Sequence, residues 1–347
     1  MNQHRKLLVG GAVIVVGLGF LLFRQSDPST PATTPTPATE PADNDGSRRL
    51  ESEARTALAA RPDDGPAALK LAKALRQQKR YPEAEIALGQ AAKLGVPEAD
   101  GRREAVLLFS TRDWPPQVEG MMQRVVRDNP DDVEVLLAVA NSYAAKGRSV
   151  EAERLFTLLL VRDPNHVAWR FHRGVARMQA GDYTPAVEDL RPMVAAEPSN
   201  YEARLALAHS LLGDARMPEA EQELLACRRL RPEAAEPLVG LAKCAIEQDN
   251  LDAAEKLLTQ AKERDRNSPF VLEEFAALYL RRQKLDVAIA TLNQLVTIAP
   301  NNRQAHLQLA QALLATGNPT EAQVHERRYQ ELDKLEEQRL AARRGMR

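Results

Sequence analysis

The chain has 347 residues, with 47 Lys and Arg balanced by 48 Asp and Glu, for a formal net charge of −1. Without a basic stripe it is not built to track a nucleic-acid backbone, and two cysteines cannot form a disulfide framework. Aromatics are only 4%, so alanine must do the close packing.

Residues 7–23 read LLVGGAVIVVGLGFLLF, seventeen positions without a charge, at the short end of what spans a bilayer. His4, Arg5 and Lys6 precede the run and Arg24 follows it. The run ends Leu-Leu-Phe-Arg-Gln, without the small residues of a cleavage site. An uncleaved signal anchor is therefore expected over a signal peptide. The positive-inside rule places residues 1–6 in the cytoplasm and the remainder outside, although Arg24 weakens the asymmetry. The expected location is a single-pass membrane protein with its folded part extracytoplasmic, periplasmic if the source is bacterial. Residues 24–46 are rich in Pro, Thr and Ala and bury too little to fold. They read as a semi-rigid linker.

Residues 47–61 form one expected helix, with Ser47 as its N-cap. They align with the second helix of a hairpin that lacks its first, and so read as an N-terminal cap. From there the chain repeats. The clearest unit runs from Val133 to Pro164. Val133, Leu136, Leu137, Val139, Ala140 and Tyr143 share one helical face, Gly147 suits a helix end, and Pro164 stops a second periodic run. Pro130, Pro164, Pro198 and Pro232 fall 34 residues apart, with Pro62 and Pro300 on the same beat. Small residues twelve apart keep the same time: Ala72/Ala84, Ala140/Ala152, Gly174/Ala186, Ala208/Ala220, Ala242/Ala254, Ala276/Ala288 and Ala310/Ala322. Eight hairpins are expected, starting near Gly65, Glu98, Asp132, Asn165, Ser199, Glu233, Asn267 and Asn301.

Two units depart from the pattern. The second has Val106/Val118 in place of the small pair and Trp114-Pro115-Pro116 at its turn. Its helices should stand further apart, with Trp114 filling the gap. The fourth carries Arg170, Arg173 and Arg177 where other units are apolar. The last hairpin runs into a charged helix over 320–344, whose Val324, Tyr329, Leu332 and Leu335 are expected to pack on the end of the stack. Cys227 and Cys244 read as buried thiols on neighbouring helices, with pairing between hairpins left open. No HExxH, CxxC or phosphate-binding glycine loop occurs. The six histidines fall in no metal-ligand spacing, so no catalytic residue, metal or cofactor is expected.

A 34-residue helix-turn-helix unit resembles the tetratricopeptide repeat. Tyr143, Ala152, Phe156 and Pro164 stand where that family places its Tyr, Ala, Phe and Pro. The resemblance spans about 65–334. It implies an all-α solenoid, a right-handed superhelix of about eight repeats behind the N-terminal transmembrane helix, with residues 335–347 ending the charged cap. It also implies a groove lined by the first helices. Counted from the small position of each, the inward residues are Leu137, Asn141 and Ala144, then Phe171, Val175 and Met178. Leu205, His209 and Leu212 follow, then Val239, Lys243 and Ile246. The first unit offers Leu69, Lys73 and Arg76. The Lys/Asn/Arg set with which some members clamp a terminal carboxylate is not reproduced, because Leu137 and His172 occupy two of its positions. The expected groove is apolar in its middle and basic at one end. The alternative is that these side chains pack on one another. A family variant with an Arg-Gly pair and a later Asp implies an ion pair between Arg173 and Asp189, against an anion site at the three arginines. The function implied is non-catalytic: an adaptor or chaperone-like factor that binds envelope proteins or peptides. A self-associating scaffold is the alternative.

Overall fold

The computed structural model describes residues 44–344 apart from 112, 113 and 115. The expected anchor at 7–23, the linker up to residue 43, Pro115 and the last three residues lie outside the described residues. Among those described, all regular structure is helical: seventeen helices and no strand. None of these helices is long and apolar enough to cross a membrane. The chain divides at Ala176/Arg177 into two compact units.

The N-terminal unit begins with α1 (Asn44–Ala60). This corrects the expected cap at Ser47, which lies a turn inside the helix and is buried. Asp45 in the first turn complements the helix dipole and lets the helix start earlier. Three hairpins follow: α2 (Gly65–Gln77) with α3 (Tyr81–Lys93), α4 (Glu98–Phe109) with α5 (Pro116–Asp128), and α6 (Val133–Ala145) with α7 (Ser149–Arg162). The boundary between units falls in α8 (Val167–Ala180). In the C-terminal unit, α9 (Tyr183–Ala196) is followed by α10 (Tyr201–Gly213), α11 (Met217–Leu230), α12 (Glu236–Glu247) and α13 (Leu251–Arg264). Then come α14 (Pro269–Arg281), α15 (Leu285–Ile298), α16 (Arg303–Ala315) and α17 (Pro319–Arg344).

Side-chain caps fix many of these starts. Asp64, Asp132, Asn200, Asn250 and Asn302 each accept an N–H from the third residue onward, satisfying a donor that the helix leaves orphaned. The small pairs at twelve-residue spacing are all buried, because a methyl or a hydrogen lets helix backbones approach closely. In the second unit Val106 and Val118 take those places. Trp114 is buried as expected, but it packs toward the next repeat. Its Nε1–H donates to Ser142 Oγ at 2.6 Å, and its ring meets Tyr143 edge-on at 6.2 Å. Cys227 and Cys244 are buried and unpaired. Burial pushes their thiols up to about 12 and about 11.

The turn between paired helices holds one residue at positive φ. It recurs on the 34-residue beat at Lys79, Gly147, Gly181, Ala215, Asp249, Gln283 and Gly317. Only three of these are glycine, and a residue with a Cβ is strained there by about 1 kcal/mol. Ala215→Gly and Gln283→Gly should each raise stability by about 1 kcal/mol, read as a rise in Tm. A fall in Tm at both positions would rule this out.

α17 faces α16 through Ala322, His325 and Asp333, whose carboxylate pairs with Arg303. This corrects two expectations. Val324 is 62% and Leu335 49% exposed. Val324 lies on the other side of the helix, and α17 has 26 residues against the 13 of α16, so its second half outruns its partner. His306 Nε2–H donates to the Pro300 carbonyl at 3.1 Å, which leaves Nδ1 to accept from His325 Nδ1–H at 3.0 Å. A proton added to His306 would set two N–H groups face to face. Burial and then His306 hold the His325 pKa below its ordinary value, with Glu321 opposing. A group whose folded pKa is depressed binds protons more readily when unfolded. The joint should therefore be firm above pH about 6.5 and loosen as pH falls below it. Amide exchange in the first turns of α17, corrected for intrinsic rates, should accelerate between pH 7 and pH 5. Unchanged protection would refute the sign.

Candidate functional site

Successive first helices touch in the C-terminal unit, α10 against α12 and α12 against α14. They bring one face of each helix into a common surface. The expected groove residues divide on it. Met178, Leu205 and Ile246 are buried within the stack. For these three the alternative holds: they pack on neighbouring side chains rather than offering themselves to a partner. Leu212, Val239 and Lys243 are half-buried and reachable. In the N-terminal unit Leu137, Asn141, Phe171 and Val175 are half-buried. Phe171 meets His172 edge-on at 5.3 Å, and His172 stacks on Phe156 at 5.4 Å. Burial holds the His172 imidazole near 4, and so neutral.

The expected basic end is corrected. Lys73 is exposed, but Arg76 is not a free cation. Its Nε donates to Glu104 Oε1 at 2.6 Å and its Nη2 to Glu134 Oε1 at 3.1 Å. Arg103 joins the same group, donating to Asp132 at 2.5 Å and to Glu134 at 2.8 Å. Charges from α2, α4 and α6 thus close a network that the sequence reading missed.

Asp189, 2% exposed, accepts from Arg177 Nη1 at 2.9 Å. The sequence singled out Arg173, which lies one turn earlier on α8 and belongs to the N-terminal unit. A pair between Arg173 and Asp189 remains an expectation.

The polar groups on the first-helix face of the C-terminal unit are the feature that the apolar-groove expectation did not anticipate. His209 on α10 is 9% exposed and Glu273 on α14 is 8% exposed. His209 Nδ1, Glu273 Oε1 and Gln308 Oε1 on α16 are buried without a hydrogen-bond partner. Native interiors rarely leave such atoms unpaired. Burial, then the charge of Lys243, holds the His209 pKa near 4. Burial, then Glu274, pushes the Glu273 carboxyl up to about 7, and Lys243 opposes the rise. Glu274 is raised by burial as well, with Lys243 lowering and Glu247 raising it. Among the described residues, no ion pair joins Lys243 to these acids. Only His209 and Lys243 of this set were anticipated. Glu273 falls 34 residues after Val239, and Gln308 falls 34 after Glu274, so the repeat register could have revealed both. The arrangement holds no metal-ligand group among the described residues. The unpaired atoms are enclosed, and carboxylates outnumber the one lysine among these residues.

Two family models, each described as tetratricopeptide repeat, match the chain. One covers residues 177–229, 226–272 and 279–336, the other 51–101 and 138–201. Together they span well over half of it. No curated protein matches. Among solved structures, a tetratricopeptide repeat protein from Parabacteroides merdae ATCC 43184 is 16% identical with a TM-score of 0.58, covering 67% of this chain and 93% of its own. The APC/C hetero-tetramer Cut9-Hcn1 is 16% identical with a TM-score of 0.51, covering 82% of this chain and 56% of its own. A thermophilic protein of the same repeat class from Thermus thermophilus is 23% identical with a TM-score of 0.44, covering 52% of this chain and 97% of its own. At these identities the likeness concerns the fold alone.

Proposed function

The chain belongs to the tetratricopeptide-repeat family, and from that premise we propose that it is a non-catalytic adaptor, anchored in a membrane by residues 7–23. In this reading it binds a protein or peptide on the first-helix face of its C-terminal unit. The observation that carries the reading is the contact of successive first helices, α10 with α12 and α12 with α14, with Leu212, Val239 and Lys243 left half-buried on them. Leu212 and Val239 supply the apolar contact on which binding anchors depend.

The anchor reading is supported by the uncharged run at 7–23 and its basic flank. It places the repeats outside the cytoplasm, held off the membrane by the Pro-rich segment at 24–46. Work on envelope proteins follows from that placement.

Photo-reactive side chains substituted one at a time into the full-length chain test the binding surface. Adducts should form from Lys243 and Val239 and not from Leu225, which is exposed on the second helix α11. Adducts only between copies of the chain would favour a self-associating scaffold, and equal adducts from all three positions would remove the proposed surface. Mass spectrometry of the mature N-terminus tests the anchor, and protease accessibility in spheroplasts tests the orientation. A terminus between residues 24 and 46, or repeats protected from protease, would refute them in turn.

A further inference from the structure

We propose that His306 and His325 form a two-imidazole site for a divalent late transition-metal ion, copper(II) or nickel(II), which clasps the C-terminal helix α17 to α16. The site lies in the last hairpin and goes beyond the reading of the first-helix face as a protein-binding surface.

His306 stands in the first turn of α16 and His325 in the second turn of α17. The packing of these two helices brings Nδ1 of one ring within 3.0 Å of Nδ1 of the other. The pair is 19 residues apart along the chain, on different helices, so no motif in the sequence marks it. A neutral imidazole has one nitrogen free to act as acceptor or ligand. On His306 the Pro300 carbonyl decides which: Nε2–H donates to it at 3.1 Å, and the Nδ1 lone pair is turned toward His325. A backbone carbonyl that holds the far N–H is how metal-bound imidazoles are commonly fixed in tautomer and orientation. His325 is half-buried between the exposed Val324 and Glu326, so its proton can pass from Nδ1 to Nε2 through water. Both Nδ1 atoms then offer lone pairs to the ion. The two rings remain neutral, and no proton leaves the protein.

The separation selects the ion. Metal–imidazole bonds are about 2.0–2.1 Å long. Two such bonds from nitrogens 3.0 Å apart meet at about 94°. That is close to the right angle between neighbouring ligands in a square or tetragonal field, which copper(II) and nickel(II) favour. A tetrahedral zinc would need the nitrogens about 3.3 Å apart. Among the described residues no group of three His, Cys, Asp or Glu gathers around a metal position, so water fills the remaining coordination sites. The charges of the joint do not oppose a cation. Arg303 is engaged by Asp333 and Arg328 by Glu331, and Glu321 is exposed one turn before His325, on the same face of α17. An ion that binds both rings binds only the docked helix, so it stabilises the docked state by mass action.

The test uses the full-length chain in detergent, with copper(II) and nickel(II) chloride as probes. With one copper(II) per chain, the electron paramagnetic resonance spectrum should show coupling to two imidazole nitrogens. His325→Gln and, separately, His306→Gln should lose that pattern, and nickel(II) affinity by calorimetry should fall roughly tenfold or more. His325→Gln, at a half-buried position, should leave the helical circular dichroism unchanged. Nickel(II) should also slow amide exchange in the first turns of α17 in the unaltered chain and not in His325→Gln. Ions held at His4 or at other histidines would not move that readout. Equal metal titrations of the unaltered chain and both variants would mean adventitious binding elsewhere and overturn the inference. Zinc(II) bound more tightly than nickel(II) would overturn the choice of ion. A two-nitrogen copper signal with unchanged exchange in α17 would overturn the clasp.

Discussion

Asp189→Ala should lower the stability of the protein by about 3–5 kcal/mol, the usual cost of stranding one member of a buried ion pair. Asp189 is all but fully buried on α9, and the Arg177 guanidinium donates to it across the hairpin at 2.9 Å. Removing the carboxylate takes a buried acceptor from Arg177 and leaves its charge less compensated. The Arg177 side chain keeps 19% exposure, so some of its hydration can be recovered, and the loss should fall toward the lower end of that range. Asp182→Ala is the control. Asp182 precedes α9, is exposed, and makes no side-chain cap bond, so its removal should cost no more than about 0.5 kcal/mol. Urea titrations of both variants decide the matter. Equal, small losses would mean that the Asp189 carboxylate contributes nothing beyond its volume.

Glu104→Ala should have an effect of similar size in the N-terminal unit. The Glu104 side chain is 5% exposed and holds Arg76, itself 11% exposed, at 2.6 Å. Glu134 remains within 3.1 Å of Arg76, so the expected loss is about 3 kcal/mol, at the low end for a broken buried pair. A second variant separates charge from packing. Replacing both partners, Arg76→Met with Glu104→Leu, removes the uncompensated charge and should recover most of the loss. If the double variant is as unstable as Glu104→Ala, the network matters for shape and not for charge. The network also fixes a response to acid. Burial alone would raise the Glu134 and Asp132 carboxyls, but the arginines, Arg103 foremost, hold both below their ordinary values. A carboxylate with a depressed folded pKa adds stability that is complete above its unfolded value and lost as pH falls through the folded one. The N-terminal unit should therefore weaken below pH about 4, and Glu104→Ala should be the more acid-sensitive background.

The fold was legible in the sequence because it is written many times. A 34-residue beat of prolines, small pairs and capping residues specifies a local hairpin, and local hairpins need only their neighbours to bury a face. Hence the helix starts at Gly65, Glu98 and Val133 fall at or beside the expected ones, and Asn200 and Asn302 cap where Asn and Ser cluster. The same beat carried an unread signal. Lys79, Ala215, Asp249 and Gln283 adopt positive φ because they occupy the glycine place of the turn, which composition hides and register exposes.

What the sequence could not decide was which charges meet and which side chains stay reachable. Arg76 read as a free cation because its partner Glu104 lies 28 residues away, on a different helix. Pairs of charges at separations near 28–31, such as Arg191 with Glu219 and Arg231 with Glu202, cross from one repeat to the next. A single-helix view does not see them. Leu205 and Ile246 read as groove residues by helical phase, yet both are buried. The candidate site has the same origin. His209, Lys243, Glu273, Glu274 and Gln308 sit on four helices, and each alone is an ordinary polar residue. Periodicity determines the face on which a side chain lies. Only the stacking of one repeat on the next determines what covers that face, and so which polar atoms are left inside without a partner.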